Sequence, residues 1–327
     1  VFVIVPSIRT FPWSLNQWDG LTAMQPVGLL NYKRLLLENK GFWIALTNNL
    51  FIMIVIPLFV IPLSLFFAVC ISRGMRGSKF FRVAFFFPNI IGGVAAALLW
   101  MHMYNPKGGP LHVIFSGCGK GFVWLGVHLH GASSFIGHGF SWIGQLVDDL
   151  PVRLCHWIGH GLLWFGGNLP DLLGNLGLWF QQPWLSSDHL YWALVPMSIW
   201  GACGFNMILF LAAMESISPE IYEAAEIDGA SPVRQFWTIT IPLIWEVLSI
   251  AIVFMVIGGM KTFEVIWLLT NQVPSTDNHV IGTCMVQAMF KEYKVGESAA
   301  IAVLMFIMVF FGTIATMRAM KRQAVEM

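Results

Sequence analysis

Charge is what this chain has least of. Only 11% of its 327 residues are Asp, Glu, Lys or Arg, where a water-soluble domain carries about 25%. The shortage excludes an ordinary soluble globular protein. A net charge of +1, with no basic stripe, also excludes a nucleic-acid partner. Cysteine is sparse and unpaired in sequence: Cys70, Cys118, Cys155, Cys203 and Cys284 form no Cys-x-x-Cys, so zinc ribbons and dithiol redox motifs have no support. Neither His-Glu-x-x-His nor Gly-x-Ser-x-Gly occurs, which leaves a hydrolase without its usual metal or nucleophile. The nearest approach to a phosphate loop, Gly117-Cys118-Gly119-Lys120-Gly121, lacks the earlier glycine and a Ser or Thr after the lysine. Any nucleotide chemistry must therefore come from another chain.

What is present is apolar sequence. Hydrophobic residues make up 57% of the chain, with 15 Trp and 27 Phe. A helical span needs about 20 mostly apolar residues to cross roughly 30 Å of hydrocarbon. Runs at 43–71, 81–103, 190–214 and 243–270 meet this, and 298–317 nearly does. Val1–Pro12 is apolar but short, and reads as the tail of a first span whose start is truncated. Basic residues set the orientation. Arg73, Arg76, Lys79 and Arg82 crowd one connection, and Arg318, Lys321 and Arg322 follow the last run. These places are assigned to the cytosol, as is the 215–242 connection, and the 104–189 segment then falls outside. The expectation is an all-α integral membrane protein of six spans with both termini inside. Its parts are 1–42 (end of the first span and outer loop), 43–103 (spans two and three), 104–189 (an outer insertion) and 190–327 (spans four to six).

The 215–242 connection is unusually polar and ordered for a loop between spans. Ser218 stands at a helix N-cap position and Pro219 at the first helical position, where its missing N–H costs nothing. Glu220 and Glu223 lie in the first turns, where the helix dipole favours acidic groups. Gly229 is placed to end that helix in a left-handed conformation, and Ser231-Pro232 starts a second helix by the same device. Two short capped helices at an angle make a rigid knob, and the small Ala224 and Ala225 let it seat closely against a partner. On local physics alone this is equally well an ordinary interfacial helix pair.

Within the spans, polar residues are the first functional candidates because they are costly there. Asn206 lies in the 190–214 run, close to Trp200, Gly201 and Phe205. Lys261 and Glu264 are three apart and are expected to pair on one helix face. Gly258-Gly259 before them either lets helices approach closely or leaves room for a ligand. Outside, 110–183 is dense in Gly, Trp and His, and Ile136–Gly144 is echoed 22 residues later by Ile158–Gly166. Ile136, Phe140, Ile143, Leu146, Val147 and Leu150 follow helical spacing, as do Leu169, Leu172, Leu173, Leu176, Trp179 and Phe180. These are expected to be amphipathic helices lying in the outer interface or capping the mouth of a path. His156 and His160 are four apart, a metal pair only if a third ligand joins them. No metal site is expected, and a Cys118–Cys155 disulfide stays open.

The 219–242 stretch resembles the EAA loop of importer-type ABC permeases: Glu-Ala-Ala, three residues, Gly, nine residues, an apolar residue, Pro. Here those positions are Glu223, Ala224, Ala225, Gly229 and, after Phe236, Ile239 and Ile241, Pro242, and Ile227-Asp228-Gly229-Ala230 is similar to the carbohydrate branch (the maltose and glycerol-phosphate type). The resemblance covers roughly 27–110 and 184–322. It implies a six-span type I importer permease in the cell (inner) membrane of a prokaryote, with an extracytoplasmic insertion between spans three and four. Glu220, Glu223, Ala224, Ala225, Asp228 and Gly229 would form the coupling surface toward an ATPase. Sugar-contacting positions would fall on Ser198, Gly201, Ala202, Phe205, Met255, Gly258, Gly259 and Thr262, beside Asn206. Several of these are polar in the maltose case and Gly, Ala or Met here, so maltose specificity does not carry over. The implied partners are a homologous second permease, an ATPase dimer, an extracytoplasmic substrate-binding protein and membrane lipid. No cofactor is expected in this chain, ATP and Mg being bound by the ATPase. The rivals are a stand-alone secondary transporter, which would show inverted repeats and mid-span carboxylates, and an intramembrane enzyme using the outer histidines with Asp148 and Asp149.

Overall fold

The structure, a computed structural model, describes residues 4–75, 77–125 and 171–320. The described residues up to Leu99 and from Leu190 on form one compact unit, and those within Trp100–His189 form another.

The first unit is built on the Lys40–Ser72 helix, which packs against Leu190–Glu215 and Trp245–Met260. Asn39 starts the long helix, its side-chain oxygen accepting from the Phe42 amide at 3.1 Å. These helices are apolar on every side, as befits elements that meet neighbours on one face and lipid on another. Two apolar clusters hold them. One joins Ile61, Leu65 and Ala68 to Met207, Phe210, Ile244 and Leu248. The other joins Leu35, Phe42 and Ala45 to Met260, Ile281, Ala300 and Ile301. The Ile4–Ser14 helix lies against Val295–Met320. Outward-facing Ile54, Leu58, Phe80, Val83, Phe306 and Phe311 are exposed, a surface suited to hydrocarbon.

Polar contacts sort to the two ends of this unit. At one, Arg82 pairs with Glu215 at 2.6 Å and the Trp245 indole N–H donates to the Met320 carbonyl. At the other, Asn48 donates to the carbonyls of Asp277 and His279, Tyr191 to that of Asn278, and Asn31 to those of Ser14 and Asn16. Asp19 sits at this second end, its carboxyl held down at about 2 chiefly by the Thr22 and Leu21 amides.

Three described helices are long and apolar enough to cross a membrane, Lys40–Ser72, Leu190–Glu215 and Val295–Met320, or five spans if two bent pairs each count as one. Ile4–Ser14 has 11 residues, short of a span by itself. The 81–103 run is bent: Ser78–Ile90 and Gly93–Met103 together are long and apolar enough for a span but meet at 100°. Pro88 withdraws a backbone donor just before the bend and Gly92-Gly93 removes side-chain support from it. The 243–270 span is corrected. Its helix bends by 71° from the preceding helical segment, runs as Trp245–Met260, and stops. A separate Glu264–Leu269 helix follows.

In the second unit, helical residues 110–125 and 171–181 cross where Gly119 meets Gly177. A Cβ on Gly177 would stand 2.5 Å from the Gly119 carbonyl oxygen, so the Gly-rich stretch that is no phosphate loop serves close helix packing. Tyr104, Phe115, Phe180 and Trp184 pack in the same unit. The apolar stripe expected on 169–180 is partly corrected: Gly177 is buried while Leu172 and Leu176 are exposed. The Ile136–Leu150 helix, the 136–166 echo, His156, His160, Asp148, Asp149 and Cys155 lie outside the described residues.

Candidate functional site

Two places in the first unit gather the residues singled out above. The first is the loop after Leu190–Glu215. Pro219–Ile227 forms a helix with Pro219 in its first turn. Ser218 holds the N-cap position, but its side chain makes no capping hydrogen bond, a correction to the expected cap. The C-terminus is fully formed. Gly229 adopts φ +76°, its amide donates to Glu226 O at 3.0 Å, and the Ala230 amide donates to Ala225 O at 2.9 Å. This is the paired closure of a Schellman motif, which needs a left-handed residue at that point. Ser231 then caps the next helix, accepting from the Arg234 amide at 3.4 Å. Helical turns continue without a gap through Phe236–Thr240 to Ile241–Leu243.

The result is an elbow with a polar outer face. Glu220, Glu223, Ala224, Asp228 and Gly229 are exposed, Ala225 is half-buried, and Ile227 stands 87% exposed at the tip. Its inner face is anchored. Tyr222 and Thr240 share a hydroxyl–hydroxyl bond of 3.0 Å across the elbow, and Gln235 donates to Ala230 O at 3.1 Å. Ile221, Tyr222, Phe236 and Ile241 pack onto the Phe210 and Ile244 cluster. Six residues expected to meet an ATPase thus share one rigid, solvent-facing element.

The second place is a cavity of about 440 Å³. Ser198, Gly201, Ala202, Phe205, Asn206, Met255, Gly258, Gly259 and Thr262 all line it. The two helices that carry most of them, Leu190–Glu215 and Trp245–Met260, are the ones joined by the elbow. The glycine pair divides its work. A Cβ on Gly258 would meet nothing within 4 Å, as at Gly201, so these two leave room. A Cβ on Gly259 would stand 3.0 Å from the Met53 side chain, so Gly259 permits close helix approach. Asn206, 4% exposed, donates to Ala202 O at 2.8 Å, and Thr262 donates to Gly258 O at 3.1 Å.

Lys261 and Glu264 do not share a helix face as expected. The helix closes at Met260, and Phe263 at φ −139°, ψ −58° separates the two residues. Among the described residues no ion pair joins them. The Glu264 carboxylate instead lies 3.1 Å from where a Cβ on Gly93 would stand.

Two participants escaped the sequence reading. Asn89 lines the cavity and donates to Gly201 O at 3.3 Å. Its signal was a polar residue after Pro88 inside an apolar run. Asn49 is fully buried and ties three segments together, donating to Gly259 O at 2.8 Å and accepting from the Ile281 amide at 2.8 Å. It satisfies a carbonyl at the end of one helix and an amide at the start of another. The Asn48-Asn49 pair in the 43–71 run was its signal. Among the described residues no group of His, Cys, Asp or Glu is placed to hold a metal ion.

Comparison with known proteins agrees with this geometry. Residues 150–324, more than half of the chain, match the family model described as binding-protein-dependent transport system inner membrane component. The diacetylchitobiose uptake system permease protein NgcF of Streptomyces coelicolor is 24% identical over 320 residues, covering 93% of this chain and 74% of that protein. The trehalose/maltose transport system permease protein MalF of Thermococcus litoralis is 26% identical over 319 residues, 96% of this chain and 86% of the relative. A bacterial alginate ABC transporter, solved with an alginate pentasaccharide-bound periplasmic protein, contains a chain of the same fold. There the TM-score is 0.64 at 20% identity, over 99% of this chain and 91% of that one.

Proposed function

This chain belongs to the binding-protein-dependent transport system inner membrane components, and on that premise we propose that it is the permease subunit of an ATP-driven importer for a sugar or oligosaccharide. It works in the cell membrane of a prokaryote. A homologous second permease completes the path, a separate ATPase dimer binds ATP and Mg, and an extracytoplasmic protein delivers the substrate. No catalytic residue is assigned to this chain.

One observation carries the reading. The elbow at 218–242 is the connection between the two helices that carry most of the cavity residues. Asn206 lies nine residues before Glu215, roughly 14 Å along a helix. Met255 lies ten residues after Trp245, a similar distance. Force applied at the exposed Glu220–Gly229 face therefore acts on two cavity walls at once, through short capped helices packed on the Phe210 and Ile244 cluster rather than through slack loop. An ATPase that closes on ATP would pull the walls from an inward-facing to an outward-facing arrangement. Glu223 is the residue for a basic partner on the ATPase, since an ion pair buried on docking costs several kcal/mol when one member is removed.

The test is co-expression with the partner permease and ATPase, comparing the native chain with Glu223→Lys and Gly229→Pro. Proline cannot adopt the φ of +76° at residue 229. Both variants should insert normally yet lose the ATPase on purification, or retain it without substrate-coupled hydrolysis. Variants that assemble and transport like the native chain would refute the coupling role.

A further inference from the structure

We infer that the cavity wall supplied by this subunit accepts an uncharged, hydroxyl-rich glycan and turns away anionic sugars such as uronates. The inference rests on the sugar-importer reading above and adds the charge class of its substrate.

The wall's composition is the first ground. Its 21 lining residues include no Lys, Arg or His. A carboxylate brought against such a surface loses water and gains no cation, which is among the costliest burials available. Hydrogen-bond direction is the second ground. Asn89, Asn206 and Thr262 each spend a donor on a backbone carbonyl of the wall itself, Gly201 O, Ala202 O and Gly258 O. Carbonyls only accept, so these partners dictate which amide atom faces them. The Thr262 hydroxyl then has no second donor, each amide keeps one N–H, and three side-chain oxygens remain as acceptors. With the Ser198 hydroxyl, which can donate or accept, the wall offers neutral donors and acceptors that suit sugar hydroxyls but no cation to balance a carboxylate.

The rim supplies the third ground. The exposed Glu264 carboxylate lies beside Gly93, itself a lining residue. Neither Glu264 nor Lys261 is itself a lining residue, but the Glu264 carboxylate reaches one, Gly93, and among the described residues it has no ion-pair partner. A fixed negative charge at the edge of a cavity whose own wall holds no cation adds repulsion to an approaching anion.

The importer reconstituted with its partner permease, ATPase and binding protein tests this. ATPase stimulation is measured at millimolar sugar, with and without the binding protein. One panel holds neutral malto-, cello- and chito-oligosaccharides, the other uronate oligomers of alginate and pectin of matched length. The native complex should respond to a neutral sugar and not to the uronates. With Glu264→Gln and Glu264→Lys, the ratio of uronate to neutral response without binding protein should rise in that order, by roughly tenfold for the neutralisation and by more than roughly a hundredfold for the charge reversal if the groups interact across ~10 Å at an effective dielectric of ~20. A native complex that takes uronates as well as neutral sugars, or a ratio unmoved by both variants, overturns the inference while leaving the importer reading intact. A coupled complex that responds to no glycan in either panel sinks the sugar reading itself, and this inference with it.

Discussion

The elbow and the cavity occupy the same unit yet are built on opposite plans. The backbone closures of the elbow, from Asp228 N–Ala224 O to Gln235 N–Ser231 O, span five residues or fewer. The cavity depends on contacts such as Asn49 with Gly259 and Ile281, more than 200 residues apart in sequence. The elbow's first helix contains no buried residue. The cavity helices bury theirs against each other. A part that must meet an outside partner is thus shaped by its own backbone and seated on the core by Ile221, Tyr222, Phe236 and Ile241. A part that must enclose a solute is held by everything around it. The first is expected to keep its shape through changes elsewhere in the molecule, and the second to lose it.

The most severe way to break the cavity without touching the elbow is at Gly204. The Phe85 carbonyl already occupies the space a Cβ would need there. Gly204→Leu should force apart the Ser78–Ile90 and Leu190–Glu215 helices and lower stability by about 3 kcal/mol or more. Thermal unfolding in detergent measures this, and an unchanged midpoint would mean the close approach is dispensable. Next is Asn49→Leu, which leaves the Ile281 amide and the Gly259 carbonyl buried without their partner, at about 2–3 kcal/mol. Hydrogen exchange should quicken at Ile281 while the elbow amides keep their native rates. Parallel loss of protection at both sites would contradict the separation of the two regions.

The elbow is probed from its own side by Gly229→Ala, which places a Cβ at φ +76° for about 1 kcal/mol of local strain. Exchange at Ala230 should quicken and the global melting temperature should barely move. A large fall in melting temperature would show that the elbow is part of the core after all.

The smallest effect is expected outside both regions, at Glu292 and Lys294, which meet at 2.7 Å. The Lys294 hydrogen bond is the main cause holding Glu292 below its ordinary 4.5, and Glu292 in turn raises Lys294 above its ordinary 10.5. A lowered carboxyl value means the contribution is complete above pH 4.5 and is lost as pH falls through the folded value. A raised ammonium value means it is complete below pH 10.5 and lost above. The pair is largely solvated, so its whole contribution is within ~1 kcal/mol. Glu292→Gln should lower the melting temperature slightly and equally between about pH 5 and 10, and the difference from the native chain should shrink at pH 3.

Much of this was legible in the residues because it is local. Ser231, Pro219 and Gly229 carry their conformational instructions with them, and the elbow follows. The missed N-cap bond at Ser218 is a detail of side-chain geometry that a preference cannot specify. Long apolar runs likewise announce helices, and Leu190–Glu215 begins where its run begins. The 243–270 run misled because hydropathy counts residues and does not see direction. Phe263 breaks the helix while keeping the run apolar, so Lys261 and Glu264 seemed to share a face they do not share. Asn49 and Asn89 were visible as polar residues in apolar sequence, but their partners lie on other helices.

Composition and spacing alone therefore determined that this chain lies in a membrane, where its longest uninterrupted helices run, and that one connection is a stiff capped elbow. Those properties arise from solvent transfer and from hydrogen bonds between near neighbours, which any observer of the sequence can sum. Only the tertiary structure decided that nine scattered residues share one cavity, that Gly258 leaves room while Gly259 packs, and that a carboxylate stands at the rim. These depend on which helix faces meet, and packing between distant segments is written in no single stretch of the chain.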